Sequence, residues 1–119
     1  MSLCVWTAGK TLIFAATTFS LSWTHSVEKV VWQEDWKIAD VGLKLMTARV
    51  KGSGAGMEPG EGAILRGGWW EWHPSLIEQK ELVLATSGAA NSVWQLCLPN
   101  ECVDLAEQTS APIKVWSCP

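Results

Sequence analysis

A chain of 119 residues is long enough for one domain that buries about two-thirds of its unfolded surface. A formal net charge of −3, with no Lys/Arg cluster, argues against nucleic acid or an anionic membrane surface as the main partner. Nine Trp, two Phe and no Tyr predict a tryptophan-rich core, and a charged fraction of only 18% leaves room for an interaction face.

Residues 1–16 are apolar but lack a basic start, and Gly9 and Lys10 interrupt them. They make a poor signal peptide and do not span a bilayer; a native leader that is absent or trimmed is compatible with this start. The stretch reads instead as a hairpin, Leu3 to Ala8 and Thr11 to Ala15 around Gly9-Lys10, with glycine at the first turn position of a type II′ turn.

The most informative stretch runs from Phe19 to Trp36. Phe19, Leu21, Trp23 and His25 alternate with Ser20, Ser22, Thr24 and Ser26, the period of a strand with one buried face. A second alternation puts Trp32, Glu34, Trp36 and Ile38 on one side and Val31, Gln33, Asp35 and Lys37 on the other. With Ser26 to Lys29 as the loop, His25 faces Val30, Trp23 faces Trp32, Leu21 faces Glu34 and Phe19 faces Trp36. The apolar faces then coincide, which sets the register, and the aromatic pairs add about 0.2–1 kcal/mol each. His25 and Glu34 are out of place on that face by polarity, so each calls for a partner.

Further along, Asp40-Val41-Gly42 is a turn and Leu43 to Val50 a strand. Residues 51–60 hold four glycines and read as a loop whose backbone needs glycine's freedom. Ala63 to Arg66, Gly67-Gly68 and Trp69 to Trp72 form another hairpin, with Trp70 and Trp72 opposite in facing to Glu71; Trp69, Trp70 and Trp72 read as core packing, with a stacking platform for sugars or bases as the alternative. His73 before Pro74 is an exposed turn residue. Ser75 to Glu81 is the one plausible helical turn, Leu82 to Thr86 a strand, and Val93 to Leu98 with Glu101 to Leu105 a hairpin. The tail from Ala106 is polar until Ile113 to Trp116, a final edge strand or an unordered end. The whole reads as one all-β domain over residues 1–105, a small antiparallel sandwich or barrel, with 106–119 as a C-terminal extension.

Cys97 and Cys102 bracket a turn-like Leu98-Pro99-Asn100-Glu101 and fall within disulfide reach across a hairpin. Cys4 and Cys118 pair in one of the three connectivities that four cysteines allow. With no C-x2-C and few histidines, zinc is disfavoured, and no metal or cofactor is expected. A disulfide leans toward an oxidising compartment.

The string WTHSVEKVVWQEDW, followed by ARVKGSGAGMEP, GGWWEWHP and a closing LC…C, resembles the DUF1850 family of bacterial and archaeal proteins. The resemblance runs from about Leu3 to Leu105 and is most specific at Trp23 to Lys29, Glu34 and Gly54 to Met57. It implies no defined activity. Many members occur beside genes for TRAP transporters of the TAXI type, which import organic acids with an extracytoplasmic binding protein. The resemblance thus implies an extracytoplasmic setting and a transporter component or small organic anion as partner, although relatives often carry an N-terminal signal or anchor that is not evident here.

Three functional readings follow. In the first, a non-enzymatic binding or accessory protein, His25, Ser26, Glu34, Arg49 and Lys51 converge with Ser53 and Gly54 of the glycine-rich loop. Arginine suits bidentate carboxylate binding and loop amides can cradle an anion, provided Arg49 or Lys51 neutralises Glu34. In the second, a small hydrolase uses His25 and Ser26, although neighbours on a strand point to opposite faces and no nucleophile elbow is present. In the third, a Trp-rich edge serves as a protein-interaction module. A purely structural role for His25 and Glu34, as a satisfied buried pair, stands beside all three.

Overall fold

The structure, a computed structural model, describes residues 1–7, 9–24, 30–40, 42–51, 60–75, 77–84, 94–105 and 112–119. Eleven strands cover most of them: β1 (Ser2–Thr7), β2 (Lys10–Ala15), β3 (Thr18–Thr24), β4 (Val31–Ala39), β5 (Gly42–Lys51), β6 (Ile64–Arg66), β7 (Trp69–Trp72), β8 (Glu81–Leu84), β9 (Gln95–Leu98), β10 (Glu101–Asp104) and β11 (Ile113–Cys118). They form two antiparallel sheets packed face to face, a four-stranded one in the order β2-β1-β11-β8 and a seven-stranded one in the order β10-β9-β3-β4-β5-β7-β6. The sheets do not close into a barrel; the domain is a sandwich.

Alternation decides which residues meet between the sheets. Leu3, Val5, Leu84, Ile113 and Val115 from the smaller sheet pack against Phe19, Leu21, Trp36, Ile38, Leu43, Leu45 and Leu96 from the larger one. The expected tryptophan-rich core is thus corrected: Trp36 is the only tryptophan among these buried residues, and the core is mainly aliphatic. Trp23, Trp32, Trp72 and Trp94 form a separate, partly buried aromatic group.

The central hairpin has the register that the coinciding apolar faces dictate, with Phe19 opposite Trp36, Leu21 opposite Glu34 and Trp23 opposite Trp32. The expected pairing of His25 with Val30 lies outside the described residues. Gly67 and Gly68, at φ 56° and 88°, connect Arg66 to Trp69 as a two-residue loop, the positive pair that a type I′ turn requires.

Three local expectations are overturned. At the first hairpin Thr7 pairs with Lys10, so Gly9, at φ 78°, holds the second loop position and not the first of a type II′ turn. The segment Ser75 to Glu81 contains no helix among its described residues. Leu43 and Gln79 exchange backbone hydrogen bonds of 2.7 and 2.8 Å, and a single turn has too few internal hydrogen bonds to compete with such a bridge. Finally, β11 is neither an edge strand nor unordered: it lies between β1 and β8, with Ile113 and Val115 in the core. The chain ends are adjacent there, and Cys4 and Cys118 are joined by a disulfide across β1 and β11.

Candidate functional site

Strands β3, β4, β5 and β7 carry the polar side chains that distinguish the larger sheet, and one irregularity aims them. Asp35 pairs with Thr47, but the next residue, Trp36, pairs with Leu45. Met46 is therefore the extra residue of a β-bulge. Strict alternation from Leu43 and Leu45 would turn Thr47 and Arg49 inward. The bulge reverses the phase, so Ala48 and Val50 are buried while Thr47 and Arg49 face outward.

On that outer face Arg49 spans three strands. Its Nη2 donates to Asp35 Oδ2 at 2.5 Å and its Nε to Glu71 Oε1 at 2.9 Å. The hydrogen bond with Asp35 raises the guanidinium above its ordinary value, burial offsets part of this, and Glu71 adds to it. Two carboxylates around one cation leave the cluster with a net negative charge. Beside it, His73 Nδ1 lies 3.2 Å from the Met46 carbonyl and 3.3 Å from Thr47 Oγ1. A carbonyl only accepts, so Nδ1 donates to Met46 in the tautomer that carries the proton there and accepts from the Thr47 hydroxyl in the other. Either way the ring ties the residue after β7 to the bulge in β5.

An open groove of about 490 Å³ runs along the same face, lined among others by Thr18, Ser20, Asp35, Thr47, Met46 and Leu98. Its volume falls within the range of small-molecule clefts, and the groove is open to solvent.

The inner face holds a different group. Trp23 stacks on Trp32 with ring centres 6.0 Å apart and packs on Trp94 at 4.6 Å, while Trp32 meets Trp72 edge-on at 6.0 Å. Glu34 shares this face, and its Oε1 accepts a hydrogen bond from Trp36 Nε1 at 3.2 Å. Burial pushes the Glu34 carboxyl above its ordinary value, more than the Trp36 hydrogen bond lowers it.

The anticipated convergence of Glu34, Arg49 and Lys51 therefore needs correcting. Glu34 is opposite Ala48, whereas Arg49 is opposite Gln33, so the carboxyl and the guanidinium lie on opposite faces. Lys51, two residues beyond Arg49, is exposed with Nζ 5.0 Å from the centre of the Trp69 ring. Neither cation neutralises Glu34. His25, Ser26, Ser53 and Gly54 lie outside the described residues. Asp35, Thr47, Glu71 and His73 are the outer-face residues that the sequence reading passed over. The alternation of β4 already put Asp35 on the face away from Glu34, and Glu71 on the face away from Trp70 and Trp72; the missing signal was the bulge that brings Arg49 to them.

Cys97 and Cys102 are direct partners across β9 and β10, joined by a disulfide with an S–S distance of 2.10 Å. Among the described residues no cluster of three or more His, Cys, Asp or Glu is arranged to hold a metal, and no helix is long and apolar enough to cross a membrane.

No curated protein and no solved structure matches the chain. A family model, described as a domain of unknown function, matches residues 19–105, a span from the start of the central hairpin to the end of the cysteine hairpin. The chain belongs to the DUF1850 family.

Proposed function

We propose that the protein is a non-enzymatic binding or accessory protein whose ligand site is the outer groove at Asp35. The observation that carries this reading is the groove itself, walled by Met46, Leu98 and Pro99 and edged by the hydroxyls of Ser20 and Thr47 beside the Asp35–Arg49 ion pair. Such a lining recognises a small molecule by a few directed hydrogen bonds on an apolar floor. Asp35 in the lining is an acceptor, and the Arg49 guanidinium paired with it lies beside the groove, so the ligand that fits this pair carries both an acid group and a donor: a hydroxy acid or an amino acid. The acid competes with Asp35 for Arg49, and the hydroxyl or ammonium satisfies the Asp35 oxygen.

The resemblance to DUF1850 supplies the setting, a TAXI-type TRAP transporter for organic anions, as the partner of this reading. The two disulfides support an oxidising, extracytoplasmic compartment.

Calorimetric titration with malate, glutamate and succinate tests the ligand class. Malate or glutamate should bind wild type, succinate should bind more weakly for lack of a donor, and Arg49→Met with Thr47→Val should abolish binding. Absence of heat from all three acids, or binding unchanged in the double variant, removes the groove as the site.

A further inference from the structure

The two disulfides differ in the properties that govern reduction. Cys4–Cys118 spans a sequence separation of 114 residues, and Cys4 is 5% exposed at the heart of the smaller sheet. Cys97–Cys102 spans 5 residues, with Cys102 exposed on the edge strand β10. By thermodynamic linkage, whatever a disulfide adds to the fold the fold adds to the disulfide's resistance to reduction. Loop-closure entropy grows with loop length, so the short pair is held less strongly, and its exposed sulfur is open to an attacking thiolate.

The cysteine hairpin also has other means of staying folded. Leu98 pairs with Glu101, Leu96 with Val103 and Gln95 with Asp104. Leu96 and Leu105 are 0% and 1% exposed in the core, and Leu105 N donates to the Trp94 carbonyl at 2.8 Å. None of these contacts needs the sulfur bridge.

We propose that Cys97–Cys102 is a dithiol–disulfide exchange site, opened and closed by a partner dithiol while the domain stays folded. A thiolate of the partner attacks Cys102 Sγ and breaks the Sγ–Sγ bond. A mixed disulfide forms at Cys102, and Cys97 leaves as a thiolate that takes up a proton. Gln95 Oε1, 3.8 Å from Cys97 Sγ, is placed to accept a hydrogen bond from the new thiol. The partner's second thiol then attacks its own sulfur in the mixed disulfide. This releases Cys102, which also takes up a proton, and leaves the partner oxidised; two electrons and two protons have passed to the hairpin. Glu101 and Asp104 flank Cys102 in β10, so a dithiol with neutral or basic surroundings is favoured over an anionic thiol.

The test is a native-state titration of wild type with dithiothreitol, a neutral dithiol, followed by alkylation and peptide mapping, with circular dichroism on the same samples. Cys97 and Cys102 should label at least about tenfold faster than Cys4 and Cys118, with an unchanged β-sheet spectrum and re-closure by oxidised dithiothreitol. Opening of Cys4–Cys118 first, simultaneous opening of both bridges, or loss of the β-sheet signal as Cys97 and Cys102 appear overturns the proposal.

Discussion

Arg49 and Glu34 lie on opposite faces of the larger sheet, although Arg49 is paired with Gln33, the chain neighbour of Glu34. The cation is taken instead by Asp35 and Glu71. All three side chains are partly shielded, at 23%, 40% and 23% exposure for Arg49, Asp35 and Glu71. The network should therefore exceed an isolated surface pair in strength while remaining below a fully buried one. Arg49→Met should cost about 1–2 kcal/mol in urea unfolding. Much of that loss should be recovered when Glu71→Gln is added, because the single variant leaves two carboxylates facing each other without their cation. A double-mutant cycle with no coupling would show that the two groups do not act as a unit.

Glu34 gives a pH signature of opposite origin. Burial raises its carboxyl above the ordinary value of 4.5, so between that value and the raised one the folded state binds more protons than the unfolded state. Stability from this group is fully present below 4.5 and is lost as pH rises through the raised value. Glu34→Gln removes the charge and keeps an oxygen to accept from Trp36 Nε1. The variant should be about 1 kcal/mol more stable than wild type at neutral pH, with the difference shrinking as pH falls through the raised value and levelling off below 4.5. Thermal unfolding of both proteins across pH decides it; a variant less stable at neutral pH would mean that the charged carboxylate has a partner of its own.

How much of this was legible beforehand follows from what sets each feature. The Phe19-to-Trp36 hairpin was readable because two period-two apolar patterns admit one register that buries both. The bulge at Met46 was not, since Leu43, Leu45, Thr47 and Arg49 alternate without a break and only the tertiary demand to bury Ala48 and Val50 reverses the phase. With the bulge unseen, Arg49 stayed assigned to Glu34 and the Asp35–Arg49–Glu71 network went unrecognised. The interior place of β11 was hidden for another reason: Ile113 to Cys118 pairs with β1, at the far end of the chain, and local pattern carries no information about so distant a partner. The bracketing of Pro99-Asn100 by Cys97 and Cys102, by contrast, is a local signal and was readable.

The tryptophan group on the inner face depends on one glycine. A Cβ at position 60 would overlap the Trp72 indole at Nε1 and Cδ1, and Trp72 in turn packs edge-on against Trp32. Gly60→Ala should therefore displace Trp72 and cost about 1–3 kcal/mol, the usual range for overpacking. Tryptophan fluorescence should shift to longer wavelength as the indoles lose contact. An unchanged emission maximum with unchanged stability would mean that residue 60 can move aside.

The last prediction separates the two disulfides by stability. In the chain-entropy account, a bridge closing nearly the whole chain stabilises by about 4–5 kcal/mol, and one closing a short hairpin by about 2 kcal/mol or less. Replacing Cys4 and Cys118 together by Ser should thus lower stability by the larger amount, helped by the loss of packing at buried Cys4. It should also loosen β11, whose position between β1 and β8 brings the last strand of the chain into the middle of the smaller sheet. Replacing Cys97 and Cys102 together by Ser should cost less and leave the sheets intact. Urea denaturation of the two double variants beside wild type measures the order directly. If the hairpin variant proved the less stable of the two, the short bridge would be a main support of the fold, with the β9–β10 register depending on it.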